Sequence, residues 1–108
     1  VVSPFAKIGA GTVIFCGAVV NPAACVGRAV IINTQAVVEH DCLLADGVHI
    51  SPSAALAGAV VIGPCSWIGI GAKVIQQIKI DSDVIVGAGA VVNRNLPKSV
   101  TAVGVPVR

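Results

Sequence analysis

Large side chains are scarce in this sequence of 108 residues. Aromatic residues make up 3% of the chain, and methionine and tyrosine are absent, although 56% of the residues are hydrophobic. A conventional globular core relies on large side chains to fill its interior. The length allows one domain at most, so the sequence predicts a single domain whose interior is filled in another way.

Charged residues are also few, at 11% of the chain. Residues 8–27 and 47–72 contain no Asp, Glu, Lys or Arg, and each stretch is long enough to cross a membrane. Asn, Pro, Ser and Gly interrupt both stretches, however, and no basic cluster flanks them, so neither is typical of a membrane span. No charged segment precedes the first apolar run, as it would in a signal peptide. We therefore expect no membrane partner.

Basic residues are concentrated towards the end of the chain. Residues 1–72 carry two basic and three acidic residues, whereas residues 73–108 carry five basic and two acidic ones. The basic end could attract the phosphates of a nucleotide-containing cofactor, or it could simply be solvated. No basic patch is interleaved with aromatic residues, so we expect no nucleic-acid partner.

The cysteines lack the spacing of a metal site, and no disulfide framework can be deduced from them. They are Cys16, Cys25, Cys42 and Cys65. We expect free thiols that serve as small apolar fillers in a reducing compartment, the cytoplasm.

What the sequence does contain is an uninterrupted repeat of six residues. Fifteen positions spaced by six, from Ile8 to Val92, are all Ile, Val or Leu, and a second column from Thr12 to Leu96 is mostly small. This period fits neither an α-helix nor an alternating strand, but it is typical of a parallel β-helix with three hexapeptides per coil. The repeat itself does not prove the hand; in hexapeptide families such coils are left-handed, an exception to the usual right-handed crossover. We predict an all-β, left-handed parallel β-helix of about five coils over residues 1–97, followed by a tail at 98–108.

Both histidines lie in one stretch, VVEHDCLLADGVHIS, at residues 37–51. His40 lies between Glu39 and Asp41 and is predicted to point outward. There it would act as a general base that a neighbouring carboxylate orients and makes more basic. The alternative is a solvated histidine between two solubilising acids. Gly58 is predicted to stack beside His40 one coil later, where it would let a ligand approach the backbone or would be a plain turn glycine.

His49 is predicted at a corner of the prism, with Trp67 directly above it in the same column. His49 would either bind a ligand or hydrogen-bond to the backbone. Trp67 would be either a stacking platform or, as we expect, an interface anchor. His40 and His49 are nine positions apart, half of an eighteen-residue coil, so they cannot meet within one chain. They can share a site only across two protomers, which predicts a homotrimer with active sites between subunits.

Longer segments carry a resemblance: INTQAVVEHDCLLADGVHISPSAALAGAVVIG, SWIGIGAKVIQQIKI, VIVGAGAVVNRNLP and the closing VGVPVR. Together they resemble the sugar acetyltransferases of the NeuD/PglD-like hexapeptide family, over nearly the whole chain. The resemblance implies an enzyme that transfers acetyl from acetyl-CoA to an amino or hydroxyl group of a sugar or nucleotide-linked sugar, without a metal. The family usually carries an N-terminal βαβ domain that holds the nucleotide-sugar, and we expect that domain to be absent here.

The same resemblance implies roles for individual residues. His40 is similar to the family's proton acceptor, with Glu39 or Asp41 as the group that raises its basicity. Asn33 resembles a substrate-side contact. The positions similar to those that line the family's acetyl-CoA groove are His49, Gly58, Ile70 and Ala88.

Two other classes of protein compete with this interpretation. A carbonic-anhydrase-like metal β-helix needs three histidine ligands or equivalents, and the chain has two histidines. A non-catalytic structural or ice-binding prism is the other alternative. An ice-binding face would need regular columns of threonine, and the sequence has only Thr12, Thr34 and Thr101.

Overall fold

A computed structural model describes all residues, Val1–Arg108. The chain forms sixteen parallel strands of two residues each, which are joined by tight turns. In chain order the strands are β1 (Lys7–Ile8), β2 (Val13–Ile14), β3 (Val19–Val20), β4 (Cys25–Val26), β5 (Ile31–Ile32), β6 (Val37–Val38), β7 (Leu43–Leu44), β8 (His49–Ile50), β9 (Ala55–Leu56), β10 (Val61–Ile62), β11 (Trp67–Ile68), β12 (Lys73–Val74), β13 (Lys79–Ile80), β14 (Ile85–Val86), β15 (Val91–Val92) and β16 (Thr101–Ala102).

Every third strand joins the same sheet, so the chain winds around three flat sides. Sheet one contains β1, β4, β7, β10 and β13; sheet two contains β2, β5, β8, β11, β14 and β16; sheet three contains β3, β6, β9, β12 and β15. From β1 to β15, paired residues are eighteen positions apart in the register, as in the pairs of Val37 with Ala55 and of His49 with Trp67. The predicted β-helix of about five coils, with its three hexapeptides per coil, is confirmed.

From Gly11 to Gly89, each corner of the prism is a turn that contains a residue with positive φ. Positive φ recurs at every sixth position from Gly11 to Gly89, and most of these residues are not glycine. A left-handed conformation costs a non-glycine residue about 1–2 kcal/mol. Hydrogen bonds between successive corners hold this backbone in place: Ala59 N–H donates to His40 O at 2.9 Å, and Gln77 N–H donates to Gly58 O at 2.9 Å.

The interior contains only aliphatic and small side chains. Both predicted columns point inward, and 28 buried residues form one continuous hydrophobic cluster along the prism. The Ser66 hydroxyl is buried within it and is satisfied, since it donates to Asp81 O at 2.6 Å and accepts from Val84 N–H at 3.1 Å. All three aromatic side chains lie outside the core. The scarcity of large side chains thus follows from a narrow bore.

The two ends of the prism differ. At the first coil the inward aliphatic residues are less covered, and Ile8 is 38% exposed. At the other end, residues 98–108 fold back onto the coils: β16 adds a sixth strand to sheet two, and Val107 is buried. Ala102 pairs with Val86, sixteen positions earlier, so this last turn of chain is shorter than the others.

No helix in the structure is long and apolar enough to span a membrane.

Candidate functional site

His40 lies on the corner that connects β6 of sheet three to β7 of sheet one. Its Nδ1 is 2.9 Å from Oδ2 of Asp41, the positive-φ residue of that corner. The two side chains are 61% and 62% exposed, so this contact contributes little to stability, and its effect is to orient the imidazole. With Nδ1–H donating to the carboxylate, the lone pair of Nε2 is left available to accept a proton.

Glu39 occupies a different position relative to the same histidine. Its Oε2 accepts a hydrogen bond from the backbone N–H of His40 at 3.3 Å and has no contact with the imidazole nitrogens. The sequence left open which carboxylate supports the ring. The structure pairs Asp41 with the ring and Glu39 with the backbone.

Gly58 lies beside His40 one coil later, as the sequence predicted. A Cβ built on Gly58 would be 2.7 Å from both Cε1 and Nε2 of His40. The missing side chain therefore makes room for the imidazole. Gly58 lies apart from the groove described below, which contains the three other residues expected to line a cofactor site.

His49 begins β8 on sheet two, and its neighbours restrain it on two sides. Its ring stacks on Trp67 of β11, with centroids 4.9 Å apart and 25° between the planes. Asn33 Nδ2 lies 3.3 Å from Nε2 of His49. Burial lowers the pKa of His49 and so favours the neutral form of the ring.

An apolar groove of about 430 Å³ runs along sheet two from His49 towards the end of the prism. Its lining includes His49, Trp67, Ile70, Ile85 and Ala88. The structure thus brings together three of the four residues that the sequence placed in a cofactor groove. Its walls suit an extended, largely apolar chain bound alongside exposed backbone.

A second hollow, of about 480 Å³, lies at the closing end of the prism and includes Arg94 and Arg108 in its lining. Two guanidinium groups at one hollow attract anions such as phosphate. These two arginines are among the five basic residues that the sequence concentrates in residues 73–108.

His40 and His49 lie on different parts of one protomer. His40 is on the corner between sheets three and one, whereas His49 is on the outer face of sheet two. Asn33 is on the His49 side, where its amide contacts the ring.

The chain assembles no group of three or more His, Cys, Asp or Glu side chains able to hold a metal ion. A carbonic-anhydrase-like centre needs three such ligands. Within one protomer the ligand set for that alternative is therefore missing.

The sequence reasoning missed the connection between Trp67 and Ser51. The indole Nε1–H donates to Ser51 Oγ at 2.8 Å, so the Trp67 side chain leans along the face of the preceding coil. The period of eighteen placed Trp67 over His49, but it gives no information about the direction in which the indole leans.

Among solved structures, the chain is 46% identical to a histidine-to-alanine variant of GDP-perosamine N-acetyltransferase from Caulobacter crescentus, in complex with CoA and GDP-perosamine. The TM-score is 0.99, and the match covers 100% of this chain and 51% of that one. The acetyltransferase domain of PglB from Neisseria gonorrhoeae is 47% identical, with a TM-score of 0.98 over 99% of this chain and 52% of that one. The same domain has also been solved in complex with acetyl coenzyme A.

The curated relatives are acetyltransferases as well. A serine acetyltransferase from Mycobacterium tuberculosis is 37% identical over 106 residues, which cover 94% of this chain and 46% of that protein. The chain spans about half the length of these two solved relatives and between 34% and 48% of the curated ones. No protein-family model matches the chain.

Proposed function

The chain belongs to the hexapeptide-repeat acetyltransferases, and from this premise we propose that it transfers acetyl from acetyl-CoA to the amine of a nucleotide-linked sugar. The observation that carries the proposal is the hydrogen bond between His40 and Asp41 on an exposed corner, which leaves Nε2 of His40 available as a base. Gly58, which lacks a side chain, makes room for the imidazole in this position.

The proposed reaction uses His40 twice. As the acceptor amine attacks the thioester carbonyl carbon, Nε2 of His40 takes a proton from the amine nitrogen and a C–N bond forms. The C–S bond then breaks, and the imidazolium returns the proton to the departing sulfur, which yields the amide and free CoA. The Asp41 carboxylate stabilises the imidazolium between the two steps, while Glu39 holds the backbone of the corner.

The acetyl donor is assigned to the groove on sheet two. Its apolar walls, with Ile70 and Ala88, suit the pantetheine arm, and His49 lies at the end where the thioester would be placed. The hollow with Arg94 and Arg108 lies further along the prism and suits the phosphates of the nucleotide part. CoA is bound in the solved structure of the perosamine N-acetyltransferase, and acetyl coenzyme A in that of the PglB domain.

A complete site then requires two protomers. The base on the corner of His40 and the groove beside His49 belong to different sides of one prism. A cyclic trimer would bring the His40 corner of one protomer against sheet two of the next. We therefore propose a homotrimer with three equivalent sites between subunits. The four free cysteines fit a reducing compartment, and we place the enzyme in the cytoplasm.

The acceptor is assigned from the relatives of higher identity. The GDP-perosamine N-acetyltransferase is 46% identical, whereas the serine acetyltransferases among the curated relatives are 32% to 37% identical. Asn33, beside His49, is the residue we expect to contact the acceptor. Serine is the alternative acceptor, and in that case a hydroxyl would replace the amine as nucleophile.

Release of thiol from acetyl-CoA, measured with a panel of acceptors, tests the proposal. We expect release with a nucleotide-linked amino sugar, little with the free amino sugar or with serine, and almost none for His40→Ala. Calorimetry should show that wild type and variant bind acetyl-CoA alike, because His40 is not among the residues that line the groove. A chain that binds no acetyl-CoA, or whose thiol release is the same with and without His40, is not this enzyme.

A further inference from the structure

Trp67 is held more tightly than its exposure suggests. Half of the residue is exposed to solvent, yet the indole ring stacks on His49 and its Nε1–H donates to Ser51 Oγ at 2.8 Å. Ser51 itself is only 3% exposed, so the hydrogen bond anchors the indole to a buried part of the preceding coil. The stacked Trp67 ring consequently covers one face of the imidazole.

Asn33 determines which nitrogen of His49 carries the proton. Its Oδ1 accepts the backbone N–H of Thr34 at 2.8 Å, and this contact sets the orientation of the amide. The Nδ2 group therefore points at Nε2 of His49, 3.3 Å away, and an amide N–H₂ can only donate. Nε2 must accept, so the proton of the neutral ring lies on Nδ1, for which the chain supplies no acceptor.

We propose that Trp67 is a positioning residue that, together with Asn33, holds His49 in its neutral, Nδ1-protonated form as a hydrogen-bond donor to the acetyl-donor groove. The stacked indole prevents the imidazole from turning, and the oriented amide selects the tautomer. A donor preset in this way stabilises negative charge as it develops on an oxygen. Its target, the carbonyl oxygen of the thioester, rests on the proposed function, whereas the tautomer itself does not.

The burial that lowers the pKa of His49 acts in the same direction. A protonated ring would present Nε2–H to the Asn33 amide, which also donates, and two donors facing each other are unfavourable. His49 is therefore unsuited to act as a base, which leaves that role to His40. The two histidines of the chain thus differ in chemistry because their neighbours differ: a carboxylate for His40, an amide donor and an indole for His49.

Long-range ¹H–¹⁵N spectra of the ¹⁵N-labelled protein, which distinguish imidazole tautomers, test this inference. We expect wild-type His49 to be a single Nδ1–H tautomer. Trp67→Leu should give a mixture of tautomers and lower kcat about tenfold, with a smaller effect on the KM for acetyl-CoA. Trp67→Phe retains the stacking and should restore most of the wild-type behaviour. Asn33→Asp, which offers an acceptor in place of a donor, should move the proton to Nε2.

Three results would overturn the inference. One is a wild-type His49 with its proton on Nε2. A second is a folded Trp67→Leu protein whose His49 tautomer and kcat both match wild type. The third is a Trp67→Leu protein that loses its oligomeric state while its His49 tautomer is unchanged, which would make Trp67 an interface anchor only. If the tautomer is as expected but no acceptor is acetylated, the proposed function fails and the positioning of His49 stands.

Discussion

At the residue scale, the proposed chemistry depends on one hydrogen bond, from Nδ1 of His40 to Oδ2 of Asp41. It joins two neighbouring residues at 2.9 Å on an exposed corner, where ion pairs add little to stability. Its importance lies in orientation, because it leaves the lone pair of Nε2 available while Gly58 makes room for the ring. Variants at this corner should therefore change turnover much more than they change folding.

Substitutions at the three neighbouring residues should separate their roles. We expect His40→Ala to lower kcat by roughly 10² to 10⁴, the usual range for loss of a positioned base. Asp41→Asn should lower kcat substantially, because the amide no longer stabilises the imidazolium. Glu39→Gln should remain within about twofold of wild type, since its amide oxygen still accepts the backbone N–H. Steady-state kinetics with saturating acetyl-CoA measure all three, and equal losses for Glu39→Gln and Asp41→Asn would contradict the assignment.

A second prediction concerns Gly58. In Gly58→Ala the new Cβ would lie 2.7 Å from the imidazole, so the ring must turn away while the backbone stays in place. We expect kcat to fall about tenfold with acetyl-CoA affinity unchanged. The matched control is the double variant: in a His40→Ala background, Gly58→Ala should have no further effect on kcat. An additional loss there, or weaker acetyl-CoA binding in either background, would place Gly58 in the cofactor site instead.

How much of this arrangement the sequence could predict depends on the kind of information involved. Periodicity alone placed Gly58 beside His40 and Trp67 over His49, because stacking of coils is set by residue number. It could not choose between Glu39 and Asp41, which flank His40 symmetrically in the sequence. That choice depends on the local backbone, where Asp41 has φ of 61° and its carboxylate reaches the ring.

At the scale of the elements, the corners determine the shape. Each coil contains three turns with a left-handed residue, and most of these residues are not glycine. The hexapeptide pattern predicted all fifteen strands from β1 to β15, because their inward aliphatic residues are evenly spaced. It did not predict β16, because the repeat of six residues ends at Leu96. The chain after Leu96 rejoins sheet two only sixteen positions after β14, instead of eighteen.

Alanine substitutions at two glycines test how backbone strain and close packing at the corners affect the free energy of unfolding. Gly71 has φ of +67°, and an added Cβ there meets nothing within 4 Å, so Gly71→Ala should lower the free energy of unfolding by about 1 kcal/mol from backbone strain alone. Gly63 lacks a positive φ, but its Cβ would lie 2.6 Å from the backbone of Asp81. Gly63→Ala should therefore cost more, about 3 kcal/mol. Urea unfolding measures the loss of free energy of unfolding in both variants. A larger loss for Gly71→Ala than for Gly63→Ala would contradict the account of the corners.

At the scale of the whole molecule, the narrow bore leaves the chemistry on the outside. The core contains aliphatic and small side chains, and every residue assigned to the site lies on a corner or on an outer face. A single prism of this width holds His40 and His49 on different sides. Whether His40 and His49 share one site therefore depends on how the protomers assemble.

Mixing two inactive variants tests the shared site most directly. His40→Ala and His49→Ala protomers are each purified, checked for a trimer by light scattering, then unfolded and refolded together in equal amounts. In a cyclic trimer, every mixed assembly has one interface with both intact histidines. Random mixing should therefore recover about one quarter of the wild-type sites.

The control for exchange is wild type mixed equally with the doubly substituted His40→Ala, His49→Ala chain. Sites shared between protomers should leave about one quarter of the wild-type activity, whereas sites contained within one protomer should leave about one half. Our account predicts about one quarter of wild-type activity in both mixtures. No recovery from the two single variants, together with one half of the activity in the control, would show that each protomer carries its own complete site and would contradict the account.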